Sequence, residues 1–236
     1  MFTRDIKNEV TRVMRENGKN LYKITAVPVL VTIAMDYIVP SSIAMSTIIS
    51  LVLSVLAAIL GVLISNMVLS IYRGETPNIN SHVKEELKDG KIVALAINRT
   101  IFIILWSLLF VIPGMIKQLS YTFSPYILKD DRTLSANDAI TKSKTMTYGK
   151  KWELAKLNLH YYWPPILIEI ISGVIAFTVF YMSFMSAISL TQPIATLMIG
   201  LVIASLLLKG ISLLLILYAT PRYELAIAIM YEDSKK

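Results

Sequence analysis

The sequence predicts an all-α protein: a polytopic transmembrane helical bundle of about six membrane crossings, the fourth one short. An N-terminal amphipathic interfacial helix and a cytoplasmic helical loop complete it. Three observations carry this reading. Hydrophobic residues make up 55% of the 236 and charged residues only 17%, with a mean hydropathy of +0.62. That leaves too little polar surface to cover a water-soluble domain of this length. Several apolar runs approach or exceed the roughly 20 residues that cross about 30 Å of hydrocarbon. The net charge of +7 is carried by lysines and arginines that lie between these runs, a topology signal rather than a nucleic-acid footprint.

The chain is read as one membrane domain. In residues 1–20, Phe2, Ile6, Val10, Val13 and Met14 fall on one helical face, with Arg4, Lys7, Arg12 and Arg15 off that stripe. Asn17-Gly18 then supplies a helix stop. The favoured reading is a helix lying on the cytoplasmic leaflet with its basic residues near anionic lipid head groups. The alternative is a helix packed beneath the bundle. Asp5, Glu9 and Glu16 make this segment unlike the basic start of a signal peptide, so the N-terminus is expected to be retained.

The spans follow in order at about 21–39, 43–71, 92–112, 115–131, 164–187 and 193–219. The first carries Tyr22 and Tyr37 at interfacial positions and ends in the turn Val39-Pro40-Ser41-Ser42. The second is longer than a crossing needs and is expected to tilt. The polar loop 72–91 comes next. Between 92 and 131 the apolar run is broken at Pro113-Gly114, which is read as a turn between two antiparallel crossings. The loop 129–158 is polar and helical, with Ser135 and Asp138 as a capping box and Gly149 as a stop. A turn around Thr191-Gln192-Pro193 joins the last two spans.

Charge decides the parity. Of the 23 basic residues, all but Arg99, Lys117 and Lys209 lie in 1–23, 72–91, 129–156 or the C-terminal end. Putting all four segments in the cytoplasm requires an even number of crossings between 91 and 129, so one kinked helix fails the positive-inside rule and two crossings satisfy it. Both termini are then cytoplasmic, in a cell membrane. Polar residues Gln118, Ser120, Thr122 and Ser124 on the short fourth helix favour burial among other helices.

Ionisable groups at membrane depth are the default functional candidates. Here they are Arg99, Glu169 and Lys209, with Glu169 paired to Lys209 or Arg99 in one reading and separate snorkelling in the other. No catalytic set is visible: the chain has no H-E-x-x-H, no G-x-S-x-G, no phosphate-cradling glycine loop and no cysteine. His82 and His160 stand far apart without clustered carboxylates, which argues against a metal site. No cofactor and no nucleic-acid partner are expected.

IYRGETPNI after the second span, LWSLLFVIPGMIKQLSYTFSPYILKDD, LSANDAITKSKTMTYGKKW and the closing TPRYELAIAIMYED resemble a bacterial integral membrane family catalogued as domain of unknown function 975. The resemblance implies a multi-span bacterial membrane protein without an established activity. Two departures are HYYWPP and Pro221-Arg222-Tyr223.

Three functions are weighed. The first is a non-enzymatic accessory or interaction protein of the cytoplasmic membrane, whose partners are the lipid bilayer and a membrane-active peptide or another membrane protein. Self-protection against such peptides, as in bacteriocin immunity, or their export would fit. The second is a small transporter or channel with an intramembrane polar path. The third, a membrane enzyme, lacks the groups it needs.

Overall fold

In the computed structural model, residues 2–37, 43–75, 78–88, 90–189 and 195–235 are described. The expected turns at 39–42 and 191–193 lie outside them. Nine helices occur among the described residues: α1 (Phe2–Tyr37), α2 (Ile43–Tyr72), α3 (Ile79–Glu86), α4 (Lys91–Leu109), α5 (Val111–Ser120), α6 (Ser124–Asp130), α7 (Ala136–Met146), α8 (Lys151–Ser189) and α9 (Ala195–Asp233). Among the described residues, four segments are long and apolar enough to cross a membrane, namely Thr47–Tyr72, Lys91–Leu109, Lys151–Met185 and Leu197–Asp233.

The chain divides into two compact units. The first comprises Met1–Leu157 and Pro221–Lys236, and the second Asn158–Thr220. In the first unit α1 packs along α2, α2 along α4 and α6, and α4 against α5 and α7, with α6 on α7. Its core is built from one face of each element: Leu21 and Ile24 of α1, Val62 to Leu69 of α2, Ile92 and Leu95 of α4, Tyr121 and Phe123 in the turn after α5, Tyr126 and Leu128 of α6, Ile140 of α7, and Leu225 to Tyr231 of α9. Three of its aromatics stack closely: Tyr231 lies 5.6 Å from Phe123 and 5.2 Å from Tyr126, ring centre to ring centre, a contact that adds to their area burial.

Burial changes abruptly along the long helices. Residues 47–56 of α2 are mostly exposed and apolar, whereas Val62 to Ile71 are buried. In α9 the exposed Leu206, Leu207, Ile211 and Leu214 give way to buried Ala219 and Leu225 to Tyr231. Such helices are water-excluding protein core at one end and lipid-compatible at the other.

Three expectations are corrected. The first concerns the stop at Asn17-Gly18: α1 runs through it without a break. A glycine inside a helix costs about 1 kcal/mol against alanine, and buried side chains on both sides, Val13 before it and Leu21 and Ile24 after it, outweigh that. The stripe Ile6, Val10 and Val13 is itself buried by protein, at 2–4% exposure, so these residues pack beneath the bundle rather than in lipid. Arg4, Arg12 and Arg15 remain exposed and Lys7 partly so, with Arg12 paired to Glu9.

The second correction is the break. Helix α4 ends at Phe110, an extended residue (φ −161°, ψ 150°), and Pro113 and Gly114 lie inside α5. Proline is tolerated in a first helical turn because the N–H it lacks would have no intrahelical acceptor there. Gly114 serves close packing: a Cβ there would stand 2.0 Å from Ser107 Oγ. The third correction is the expected single helix over 115–131, which is two, α5 and α6, separated by the turn 121–123. Within the loop 129–158 the expected cap and stop are both present. Ser135 caps α7 with Asp138 completing the box, and Gly149 adopts φ +79° in the turn after that helix.

The second unit is an antiparallel pair. Tyr162 Oη lies 3.4 Å from Thr220 Oγ1, which joins the entry of one limb to the exit of the other. Ser172 and Ser212 are both buried, at 2% and 0% exposure. The outward faces carry Ile170, Val174, Phe177, Phe180, Leu206 and Leu214, all exposed.

Candidate functional site

A charge inside an apolar helix must find a partner or reach water. Arg99 lies eight residues past Lys91, the first residue of α4, or about 12 Å along the helix. Glu224 lies eight residues before Glu232 near the end of α9, so the two sit at similar depth. The structure brings them together: Glu224 acts electrostatically on Arg99, and Ser65 Oγ of α2 donates to Glu224 Oε2 at 3.0 Å. Tyr126 of α6 directs its hydroxyl to the Glu224 backbone carbonyl at 3.5 Å. Four helices thus meet at one carboxylate. Arg99 was singled out from sequence, but with Glu169 as its partner in one reading and snorkelling alone in the other. Glu224, Ser65 and Tyr126 were not, although the similar spacing of Arg99 and Glu224 from their helix ends was a usable signal.

A second layer lies at the ends of the same helices. Arg73, after α2, contacts Asp130 at 2.7 Å and donates from Nε to Glu232 at 2.8 Å. Lys235 reaches Asp130 at 2.7 Å, and Tyr231 donates to the same carboxylate at 2.7 Å. Burial pulls the Asp130 carboxyl upward, but the hydrogen bonds from Arg73, Lys235 and Tyr231 outweigh it and hold the pKa at about 2. Beside this group, Glu86 is buried at 4% exposure. It accepts from Asn66 Nδ2 at 2.9 Å, pairs with Arg132 and lies 3.7 Å from His82 Nε2. Lys129 donates to the Asn66 carbonyl at 2.8 Å and to Ser70, and Lys91 donates to the Arg132 carbonyl.

These contacts place Arg73, Lys91, Asp130, Arg132 and Lys235 at one polar face. Residues of the loops after α2 and α6 and of the C-terminal end of α9 therefore meet at one end of the first unit. Arg222 is tied to α1 through Tyr22.

Glu169 and Lys209 belong to the second unit, and both are exposed. Among the described residues no ion pair joins them. Ile216 lines a groove of about 380 Å³ beside Glu169, together with Tyr162, Pro165, Ile166 and Ile170. Lys209 is seven residues before Ile216, about 10 Å along α9 from that level. The structure thus gives Arg99 a carboxylate of its own and leaves Glu169 in an otherwise apolar groove.

The match to known proteins covers most of the helices that build these layers, α9 excepted. A family model described as "Protein of unknown function (DUF975)" matches residues 32–163, more than half of the 236 residues. The chain belongs to this family. No curated protein and no solved structure matches it. In this DUF975 protein the matched segment runs from the end of α1 to Trp163 in α8. It contains Ser65, Arg73, Glu86, Arg99, Tyr126 and Asp130, while Glu224 and Glu232 lie beyond it.

Proposed function

We propose that this DUF975 protein is a non-enzymatic protein of the cytoplasmic membrane that acts by binding a cationic, membrane-active peptide, in self-protection against it or in its export. The chain crosses the bilayer an even number of times with both termini in the cytoplasm. The observation that carries the binding reading is the Glu169 groove. A carboxylate exposed among Tyr162, Pro165, Ile166, Ile170 and Ile216 offers a lysine or arginine of an amphipathic helix both an apolar bed and a counter-charge, which low dielectric strengthens. Glu224 is bonded by Ser65 and lies within electrostatic reach of Arg99, an arrangement that supports a binding protein over a transporter.

The test is a challenge of bacterial cells with and without the protein by a panel of cationic membrane-active peptides. Cells lacking it are expected to be sensitised at least several-fold to one class, with Glu169→Gln restoring protection only partly and Glu169→Lys not at all. Unchanged sensitivity across the panel, with altered solute uptake into vesicles, would replace this reading by the transporter.

A further inference from the structure

The α4–α5 hairpin was expected to make two full crossings. Its length from the polar helices to its tip says otherwise. Helix α7 is a polar element: Asn137, Asp138, Thr141, Lys142, Lys144 and Thr145 are all exposed. Its second half is bonded to the end of α5, with Ser143 Oγ donating to the Ser120 carbonyl at 2.8 Å and accepting from the Phe123 N–H at 3.1 Å. Lys144 Nζ stands 5.6 Å from the Tyr121 ring centre, and Tyr121 in turn packs against Phe102 of α4 at 6.4 Å. Phe102 and Ser120 therefore lie level with a charged, water-facing helix.

From that level the hairpin has little length left. Seven residues separate Phe102 from Leu109 and nine separate Ser120 from Val111, about 11 and 14 Å of helix. The hydrocarbon core is about 30 Å thick. Each limb spans less than half of it.

The tip is chemically suited to hydrocarbon and not to an outer aqueous turn. Leu108, Phe110, Val111 and Ile112 are 77%, 76%, 71% and 69% exposed, and Leu108 to Ile116 contain no charged or hydrogen-bonding side chain. Exposed backbone would be costly in lipid, but this turn spends one non-helical residue. The Phe110 N–H donates to Trp106 and the Gly114 N–H to Phe110, and Pro113 has no N–H. Behind the tip, Lys117 Nζ sits 4.2 Å from the Trp106 ring centre, an aromatic–cation pair of the kind found at head-group level. Lys144 and Lys151 are near enough to act electrostatically on Lys117, which makes the surrounding rim basic.

We infer that α4 and α5 form a re-entrant hairpin that enters one leaflet from the polar face, its Leu108–Ile116 tip among acyl chains and its Trp106–Lys117 rim against anionic head groups. The crossings are then four, made by α1, α2, α8 and α9, and the parity required by the charges is kept. The inference rests on membrane residence alone and not on the identity of any peptide partner.

The chain has no cysteine, so single cysteines report without background. Phe110→Cys and Ile112→Cys are made in the full chain, with Thr145→Cys as the polar-face reference, and variants that keep the parent melting midpoint are used. In intact cells a membrane-impermeant maleimide should leave 110 and 112 unlabelled, and 145 should react only after the cells are opened. In nanodiscs containing anionic lipid, a spin label at 110 should relax more with oxygen than with a water-soluble nickel chelate, at a depth in the leaflet nearer 145. Labelling of 110 from outside intact cells would restore the two full crossings and overturn the inference. Preferential relaxation by the nickel chelate would place the tip in water and overturn it as well.

Discussion

Gly114 of α5 is pressed against Ser107 of α4 so closely that a Cβ at 114 would stand 2.0 Å from the serine Oγ, 2.9 Å from its Cβ and 3.0 Å from its Cα. The serine hydroxyl can rotate away, but its Cβ and backbone cannot. Gly114→Ala gains about 1 kcal/mol of helix propensity and forces the two helices apart. Overpacking of this kind costs about 1–3 kcal/mol, so a net loss on the order of 1 kcal/mol is expected. Unfolding in detergent checks it, and Ser107→Gly added to Gly114→Ala should recover most of the loss.

The Arg99–Glu224 cluster predicts strong non-additivity. Removing either charge strands the other among apolar helices, so Arg99→Met and Glu224→Gln should each destabilise by on the order of 2 kcal/mol. That is below the 3–5 kcal/mol of a wholly buried pair, because both residues are only partly buried. The double variant should lose less than the sum of the two. Purely additive losses in a thermal double-mutant cycle would show that the pair is not coupled.

Asp130 predicts a loss of stability in acid. Its folded pKa of about 2 lies below the ordinary 3.8. The carboxylate contribution is therefore complete above about pH 4 and disappears as the pH falls toward 2. It amounts to about 1–2 kcal/mol. Asp130→Asn should remove that part of the acid dependence while leaving the midpoint less sensitive between pH 4 and 2.

His82 predicts a milder dependence nearer neutrality. Burial pushes its imidazole below the ordinary 6.5, with Lys129 and Arg132 adding to the shift and Glu86 and Glu85 opposing it. The fold holds the neutral form, so its stability is complete above pH 6.5 and declines as the pH drops below that value. Amide exchange in α3, corrected for intrinsic rates, should be slower at pH 7.5 than at pH 5.5. His82→Gln should abolish the difference, and equal protection at both values in the parent would refute it.

Part of the layout was readable from local signals. Composition and apolar run length mark four candidate spans among the described residues because hydrocarbon thickness sets a length that any spanning segment must meet. The Ser135–Asp138 capping box and the Gly149 stop were legible because both are satisfied within a few residues. The Arg73–Asp130–Lys235 network joins residues that charge alone had grouped only by sign.

Where the local signals failed, side-chain packing decided the outcome. Asn17-Gly18 is a stop signal in isolation, but Val13, Leu21 and Ile24 are buried on either side of it and carry the helix through. Pro113-Gly114 is a turn signal in isolation, but Ser107 needs a glycine at 114 and the turn moves to Phe110. Arg99 offered a charge without a partner, and its partner is Glu224, 125 positions away.

The sequence by itself determined that the chain is helical and that its helices are apolar enough for a membrane, because those properties depend on length, period and composition within each segment. Only the tertiary structure decided which charges neutralise each other, which apolar stripe faces protein and how far the α4–α5 hairpin extends past α7. Those depend on packing between helices distant in sequence, where burial outweighs the propensity of a few residues.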